Sequence, residues 1–177
     1  KRALFEARGD IFSVPVEHGV VRNLTRSSGV AERPPAWSPD GKLIAYFSDR
    51  TGEYELTVRN ADNTGEERTL TKLGPGFRYW PQWSPDSKKV LWIDQAMKIW
   101  IYDFDTQTNR FVDQQMWMYH GELQGFVVSW SADSRWIAYA GDQENRNSAL
   151  VIYDTQEAKR HEVTSGSCDR RTPPDPL

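Results

Sequence analysis

Trp37-Ser38-Pro39-Asp40-Gly41-Lys42-Leu43-Ile44-Ala45-Tyr46 is written three times, with small changes, along this 177-residue chain. The second copy is Trp83-Ser84-Pro85-Asp86-Ser87-Lys88-Lys89-Val90-Leu91-Trp92. The third is Trp130-Ser131-Ala132-Asp133-Ser134-Arg135-Trp136-Ile137-Ala138-Tyr139. The tryptophans follow one another at intervals of 46 and 47 residues. A period in the forties signals either a propeller blade or a helical repeat. The decapeptide itself is a turn and then a strand. Proline presets φ at the second turn position, aspartate suits the third and glycine the fourth. Glycine gives way to Ser87 and Ser134, and proline to Ala132, so the turn chemistry weakens along the chain while Trp37, Trp83, Trp130 and Asp40, Asp86, Asp133 persist.

Outward from each decapeptide the rest of a blade appears. The apolar runs Leu43–Phe47, Val90–Ile93 and Trp136–Tyr139 read as strands covered on both faces. A hairpin follows each one. Glu55–Arg59 leads through a polar turn to Arg68–Thr71, Lys98–Tyr102 to Arg110–Val112, and Ala149–Tyr153 to Arg160–Thr164. A further hairpin lies upstream, from Ile11–Val14 through Glu17-His18-Gly19 to Arg22–Thr25. With the short segment that ends at each tryptophan, a unit has four strands in about 45 residues, the size of a propeller blade. No stretch sustains the helical spacing of apolar residues, so a helical repeat is rejected. The fold expected is all-β, a partial β-propeller of about 3.8 four-stranded blades. Its units are 1–25 (an incomplete blade), 26–71, 72–113 and 114–164, and a tail at 165–177 reads as a truncated or altered next blade.

Composition bounds the function. A net charge of −3 with interspersed signs gives no footprint for nucleic acid. No apolar run reaches the roughly 18 residues of a membrane span. Eight tryptophans in a chain that is 12% aromatic argue for a packed core rather than disorder. The single Cys168 excludes an intrachain disulfide.

The decapeptide followed by Ser48-Asp49-Arg50-Thr51-Gly52-Glu53-Tyr54-Glu55-Leu56 resembles the Pro-Asp-type propeller repeat of TolB-like proteins, prolyl oligopeptidase relatives and tricorn proteases. Phe5-Glu6-Ala7-Arg8-Gly9-Asp10-Ile11-Phe12, His18-Gly19, Arg22–Thr25 and Gly74-Pro75-Gly76-Phe77-Arg78-Tyr79 are similar to the N-terminal six-bladed propeller of tricorn-like proteases. That resemblance covers about residues 1–165. It implies a cytoplasmic serine peptidase that degrades oligopeptides as a hexamer, with a periplasmic setting as the alternative. It places the catalytic serine and histidine in a C-terminal half outside these residues, so no catalytic residue is carried over. It implies that a propeller acts as a filtered route for peptides. The alternatives are a TolB-like scaffold for protein–protein contacts and a propeller lid over an α/β-hydrolase.

Gly74–Pro81 approaches the innermost strand, which lines a propeller's channel. Arg33, Arg78, Tyr79 and Trp80 are therefore the candidates for contact with peptides, the two arginines as donors to carboxylates; the alternative is packing between blades. No Gly-x-Ser-x-Gly elbow accompanies the three histidines, His18, His120 and His161, so no catalytic centre is assigned. Asp103-x-Asp105-x-Gln107-x-Asn109 imitates half a calcium loop but lacks the sixth-place glycine and twelfth-place glutamate, and reads as a turn. No metal or cofactor is expected. Gln114–His120 is either an adaptable Met- and aromatic-rich patch or core. The open ends of a partial ring suggest self-association.

Overall fold

The structure, a computed structural model, describes residues 1–116, 127–143 and 147–164. Among them run fifteen strands in four antiparallel sheets, and no helix. The first sheet holds β1 (Arg2–Ala7), β2 (Asp10–Pro15) and β3 (Arg22–Asn23). The second holds β4 (Glu32–Trp37), β5 (Leu43–Ser48), β6 (Glu55–Asn60) and β7 (Arg68–Thr69). The third holds β8 (Arg78–Trp83), β9 (Lys89–Asp94), β10 (Lys98–Asp103) and β11 (Thr108–Gln114). The fourth holds β12 (Val128–Trp130), β13 (Trp136–Asp142), β14 (Ser148–Asp154) and β15 (Lys159–Glu162). In every sheet the strands lie in chain order, as in propeller blades. Arg8 and Gly9, with φ of 56° and 85°, close the β1–β2 hairpin in the two-residue turn whose twist matches the strands.

The continuous apolar runs are explained by the two-residue period of a strand, which sends alternate side chains to opposite faces. Ile44 and Tyr46 of β5 pack with Ile11 of β2 and with Leu24, which follows β3, whereas Ala45 and Phe47 pack with Val90 and Trp92 of the third sheet. Leu91 and Ile93 turn instead to Ile137 and Tyr139 of the fourth. The second and third blades are thus wafers between two apolar layers. Trp92 is fully buried with its ring edge-on to Phe47 at 5.8 Å. Ring pairs of this kind add about 0.5–1.5 kcal/mol to area burial.

The three decapeptide turns share one set of hydrogen bonds. The Ser38, Ser84 and Ser131 hydroxyls donate to Asp40, Asp86 and Asp133 at 2.6, 2.6 and 2.5 Å. Each carboxylate then accepts a main-chain N–H two residues on, from Lys42, Lys88 and Arg135. The hydroxyl hydrogen bond holds Asp40 and Asp133 below the usual carboxylate range. At Asp86 burial opposes, and the same bonds outweigh it. Replacing glycine by serine looks like a loss in sequence, and the structure gives it a use. Ser87 and Ser134 adopt the glycine-like φ of 62° and 61° and accept a hydrogen bond from the preceding blade. Asp40 N–H donates to Ser87 Oγ at 3.0 Å, and Asp86 N–H to Ser134 Oγ at 2.9 Å. The turn serines therefore clip neighbouring blades together. Trp83 adds a second clip, its Nε1–H donating to the Ala36 carbonyl at 3.0 Å.

Candidate functional site

The innermost strands β4 and β8 are both interrupted. Pairing slips between Arg33 and Ala36 in β4 and between Tyr79 and Gln82 in β8. Pro34-Pro35 and Trp80-Pro81 occupy the slips. Proline has no N–H for the ladder, so a bulge forms and the extra residue is re-aimed. Trp80 accordingly sits at φ 31° and is 51% exposed. Beside these bulges lies a cavity of about 240 Å³ lined by Glu6, Arg33, Pro34, Phe77, Arg78, Tyr79 and Trp80. All four residues singled out in the sequence, Arg33, Arg78, Tyr79 and Trp80, line it together.

Their chemistry differs. The Arg33 guanidinium donates to Tyr54 Oη at 3.1 Å and lies 5.6 Å from the ring centroids of both Tyr54 and Phe77. Cation–π contacts of this kind hold the charge without neutralising it. Among the described residues no carboxylate forms an ion pair with Arg33. Arg78 is spent otherwise. Its guanidinium is buried and donates to the Gly74 carbonyl at 2.7 Å and to the Gly76 carbonyl. Burial lowers its pKa against the opposing pull of Glu55 and Asp94. Tyr79 is buried beneath Phe77, ring centroids 4.9 Å apart, and burial raises its phenol pKa.

The Leu73–Phe77 loop is braced from both polarities. The buried Glu55 carboxylate accepts from Thr71 Oγ1 at 2.6 Å, Leu73 N–H at 2.7 Å and Gly74 N–H at 3.2 Å. Arg78 takes the loop's carbonyls, and Gln95 Oε1 accepts Phe77 N–H at 2.9 Å. A cavity wall on a loop braced in this way is preorganised, which lowers the ordering cost of binding. Glu55, Glu6 and Pro34 are the residues that sequence reading missed. Only Glu55 leaves a signal: Asp10 in the first sheet accepts from Thr25 and Ser27 in the same way, each acid opening a strand with a threonine 15 or 16 residues later.

The remaining candidates resolve locally. Asp103 accepts the N–H groups of Asp105 and Thr106, and Asp105 pairs with Lys88 at 2.8 Å, so the calcium-loop look-alike is a bonded hairpin turn. His18 is exposed in a turn, and His161 lies beside the Trp136 ring. Met116 is 44% exposed, while 117–120, with His120, and the 165–177 tail, with Cys168, lie outside the described residues.

The family model described as the tricorn protease second beta propeller domain matches residues 1–174. The chain belongs to that family. The propeller in question is thus the second by that description, where the segment resemblance ran to the N-terminal one. Among curated relatives, the uncharacterized peptidase YuxL of Bacillus subtilis is 27% identical over 91% of this chain and 21% of its own length. A tricorn protease homolog of Saccharolobus solfataricus is 26% identical over 76% of this chain and 11% of its own length. The chain therefore spans a small part of the length of these relatives. The crystal structure of the tricorn protease superposes with a TM-score of 0.75 at 17% identity, over 93% of this chain and 16% of that one. TolB from Acinetobacter baumannii gives 0.62 at 23% identity, over 93% and 40%. Both likenesses establish the shared all-β propeller fold.

Proposed function

We propose that this tricorn-family propeller segment binds and guides peptides for a serine-type peptidase, as a gating module without a catalytic centre of its own. The observation that carries the reading is Arg33: a guanidinium stacked on aromatic rings, with no carboxylate paired to it among the described residues, on the wall of a braced cavity. A peptide carboxylate completes that arrangement by a charge-assisted hydrogen bond. Trp80 and Pro34 supply apolar surface for the neighbouring side chain. Arg78 serves as a brace in this reading, not as a ligand. The setting is cytoplasmic, as the family resemblance implies.

The test is fluorescence anisotropy with labelled tetrapeptides bearing a free or an amidated C-terminus. Arg33→Gln is expected to weaken the free-acid peptide about tenfold and to leave the amide unchanged, the loss of one charged hydrogen bond. Arg78→Lys is expected to lower thermal stability more than affinity. Equal binding of acid and amide by the wild-type chain, or peptidase turnover by this chain alone, would overturn the reading.

A further inference from the structure

Glu32, the first residue of β4, is fully buried where the chain passes from the first sheet to the second. Its main-chain N–H donates at 2.8 Å to the carbonyl of Gly9, in the β1–β2 turn. Packing is close there: a Cβ built on Gly9 would stand 2.9 Å from the Val30 carbonyl oxygen. Beside it, Ala31 N–H donates to Asp49 Oδ1 at 2.7 Å. The Glu32 side chain therefore sits at the joint between two blades, one position before Arg33.

A buried carboxylate needs donors for its charge, and this one is short of them. Ser27 Oγ lies 2.7 and 2.8 Å from its two oxygens, but a hydroxyl has one hydrogen. Thr25 gives its hydroxyl hydrogen to Asp10 at 3.1 Å. The Arg50 guanidinium stands 3.7 Å away, beyond hydrogen-bond range, and is nearer to Glu67, at 3.1 Å. Asp10 is better served, accepting from Asn23 at 2.8 Å, from Thr25, and from Ser27 N–H at 3.1 Å. Two acids thus flank Ser27 with unequal supplies of donors, which drives their ionisation apart. The hydrogen bond from Asn23, with those from Ser27 and Thr25, holds Asp10 below the usual carboxylate range. Burial pushes Glu32 above it, with Glu67 adding to the push and Ser27, Thr25 and Arg50 opposing. The other titratable and charged groups at the joint are Tyr46 of β5, Asp49, and Arg59 of β6, which pairs with Glu67 at 3.3 Å.

We infer that Glu32 is a proton-operated latch on the joint between the first and second sheets, closed when the acid is neutral and loosened when it ionises. Protonated, Glu32 donates to Ser27 Oγ, and Ser27 turns its own hydrogen to Asp10 Oδ1, 3.5 Å away. Each acceptor in the chain Glu32–Ser27–Asp10 then has a donor. Ionised, the two carboxylates compete for one hydroxyl hydrogen, and a buried charge is left under-bonded at the seam. Arg50 gives protons a way in: it is half exposed and lines a cavity of about 360 Å³ with Ser48, Thr57, Glu66, Glu67 and Thr69. Because Arg33 is the next residue, the latch acts on the strand that carries the unpaired guanidinium of the candidate site.

The test titrates the Glu32 carboxyl of the wild-type chain by carbon-detected NMR and follows urea unfolding from pH 4 to 8. The carboxyl is expected to titrate above the ordinary glutamate value of about 4.3. A raised group contributes stability that is complete below that value and is lost as pH rises through its folded-state midpoint. The reference is Glu32→Gln, which keeps an N–H for Ser27 Oγ and cannot ionise. Relative to it, each unit of elevation lowers the wild-type folded-to-unfolded ratio about tenfold between pH 4 and 8. Exchange protection of Glu32 N–H, corrected for the intrinsic rate, is expected to fall over that interval in wild type and to hold in Glu32→Gln. Ser27→Ala removes the one hydroxyl hydrogen and is expected to move the midpoint further up. A wild-type midpoint at or below about 4.3, a midpoint unmoved by Ser27→Ala, or the same pH dependence in wild type and Glu32→Gln would each overturn the inference.

Discussion

Ser134 offers the sharpest test of how the blades are joined. Its side chain is 1% exposed, its φ is 61°, and its hydroxyl accepts Asp86 N–H at 2.9 Å from the neighbouring blade. Two terms of opposite sign act at this position. The hydrogen bond contributes about 1 kcal/mol, and stranding a half-buried N–H costs up to about 1 kcal/mol more. Holding a residue with a Cβ in the left-handed region costs roughly 1 kcal/mol. Ser134→Ala loses the bond and keeps the strain, so it is destabilising by about 1–2 kcal/mol. In a chain of this size that lowers the melting temperature by roughly 2–8 °C. Ser134→Gly loses the bond but relieves the strain, and lands within about 1 kcal/mol of wild type. Thermal unfolding followed by circular dichroism, checked by urea titration, reads both variants against wild type. The ordering expected is wild type at or above glycine, and glycine above alanine. A glycine variant melting several degrees above wild type would mean that the serine only strains its turn and clips nothing.

Two further outcomes follow from single contacts. Hydrogen bonds from Arg135 at 2.6 and 3.0 Å hold the Asp154 pKa down at about 2, so its contribution is fully present above the ordinary aspartate pKa and is lost as pH falls toward 2. Asp154→Asn is expected to lower the melting temperature at pH 6 and to flatten its decline between about pH 4 and 2, seen in melting curves recorded across that range. Pro81→Val restores an N–H to β8 and is expected to close the bulge, withdrawing Trp80 and reducing quenching of its fluorescence by acrylamide; unchanged quenching would show that proline does not cause the slip.

The propeller was legible because its turn is made locally. Serine, aspartate and the N–H two residues on lie within five positions of one another, and the tryptophan marks the strand end. The shared site of Arg33 and Tyr79 was legible through the repeat: each stands four residues before a repeat tryptophan, so each occupies the same place on an inner strand. What the two arginines do there was not legible. Arg78 looks as available as Arg33 until the loop at Gly74–Gly76 folds back over it, and Arg33 stays unpaired only because the rings from Tyr54 and Phe77 arrive from elsewhere in the chain. Ser87 and Ser134 misled for the same reason: their partners lie 47 and 48 residues away, on another blade.

The repeat also explains where variation is tolerated. The Ser-x-Asp turn is committed to its cap, Trp83 to a clip onto the preceding blade, and the apolar strand β5 to two packing layers. The two residues that begin three places before the tryptophan are released from both duties, but only where the second is proline. Pro35 and Pro81 each coincide with a break in pairing, whereas Val128, at the same place before Trp130, pairs with Tyr139 in an unbroken ladder. The missing N–H accounts for the difference, because a ladder that cannot be completed gains nothing by staying in register. Of the three described inner strands, two therefore push a residue out beside β1 of the first sheet. That residue is Pro34 in one and Trp80 in the other, and both meet Glu6 of β1 in a single cavity. The cavity is thus a by-product of where proline interrupts the repeat. Part of its lining is set by the side chain that stands just before that proline.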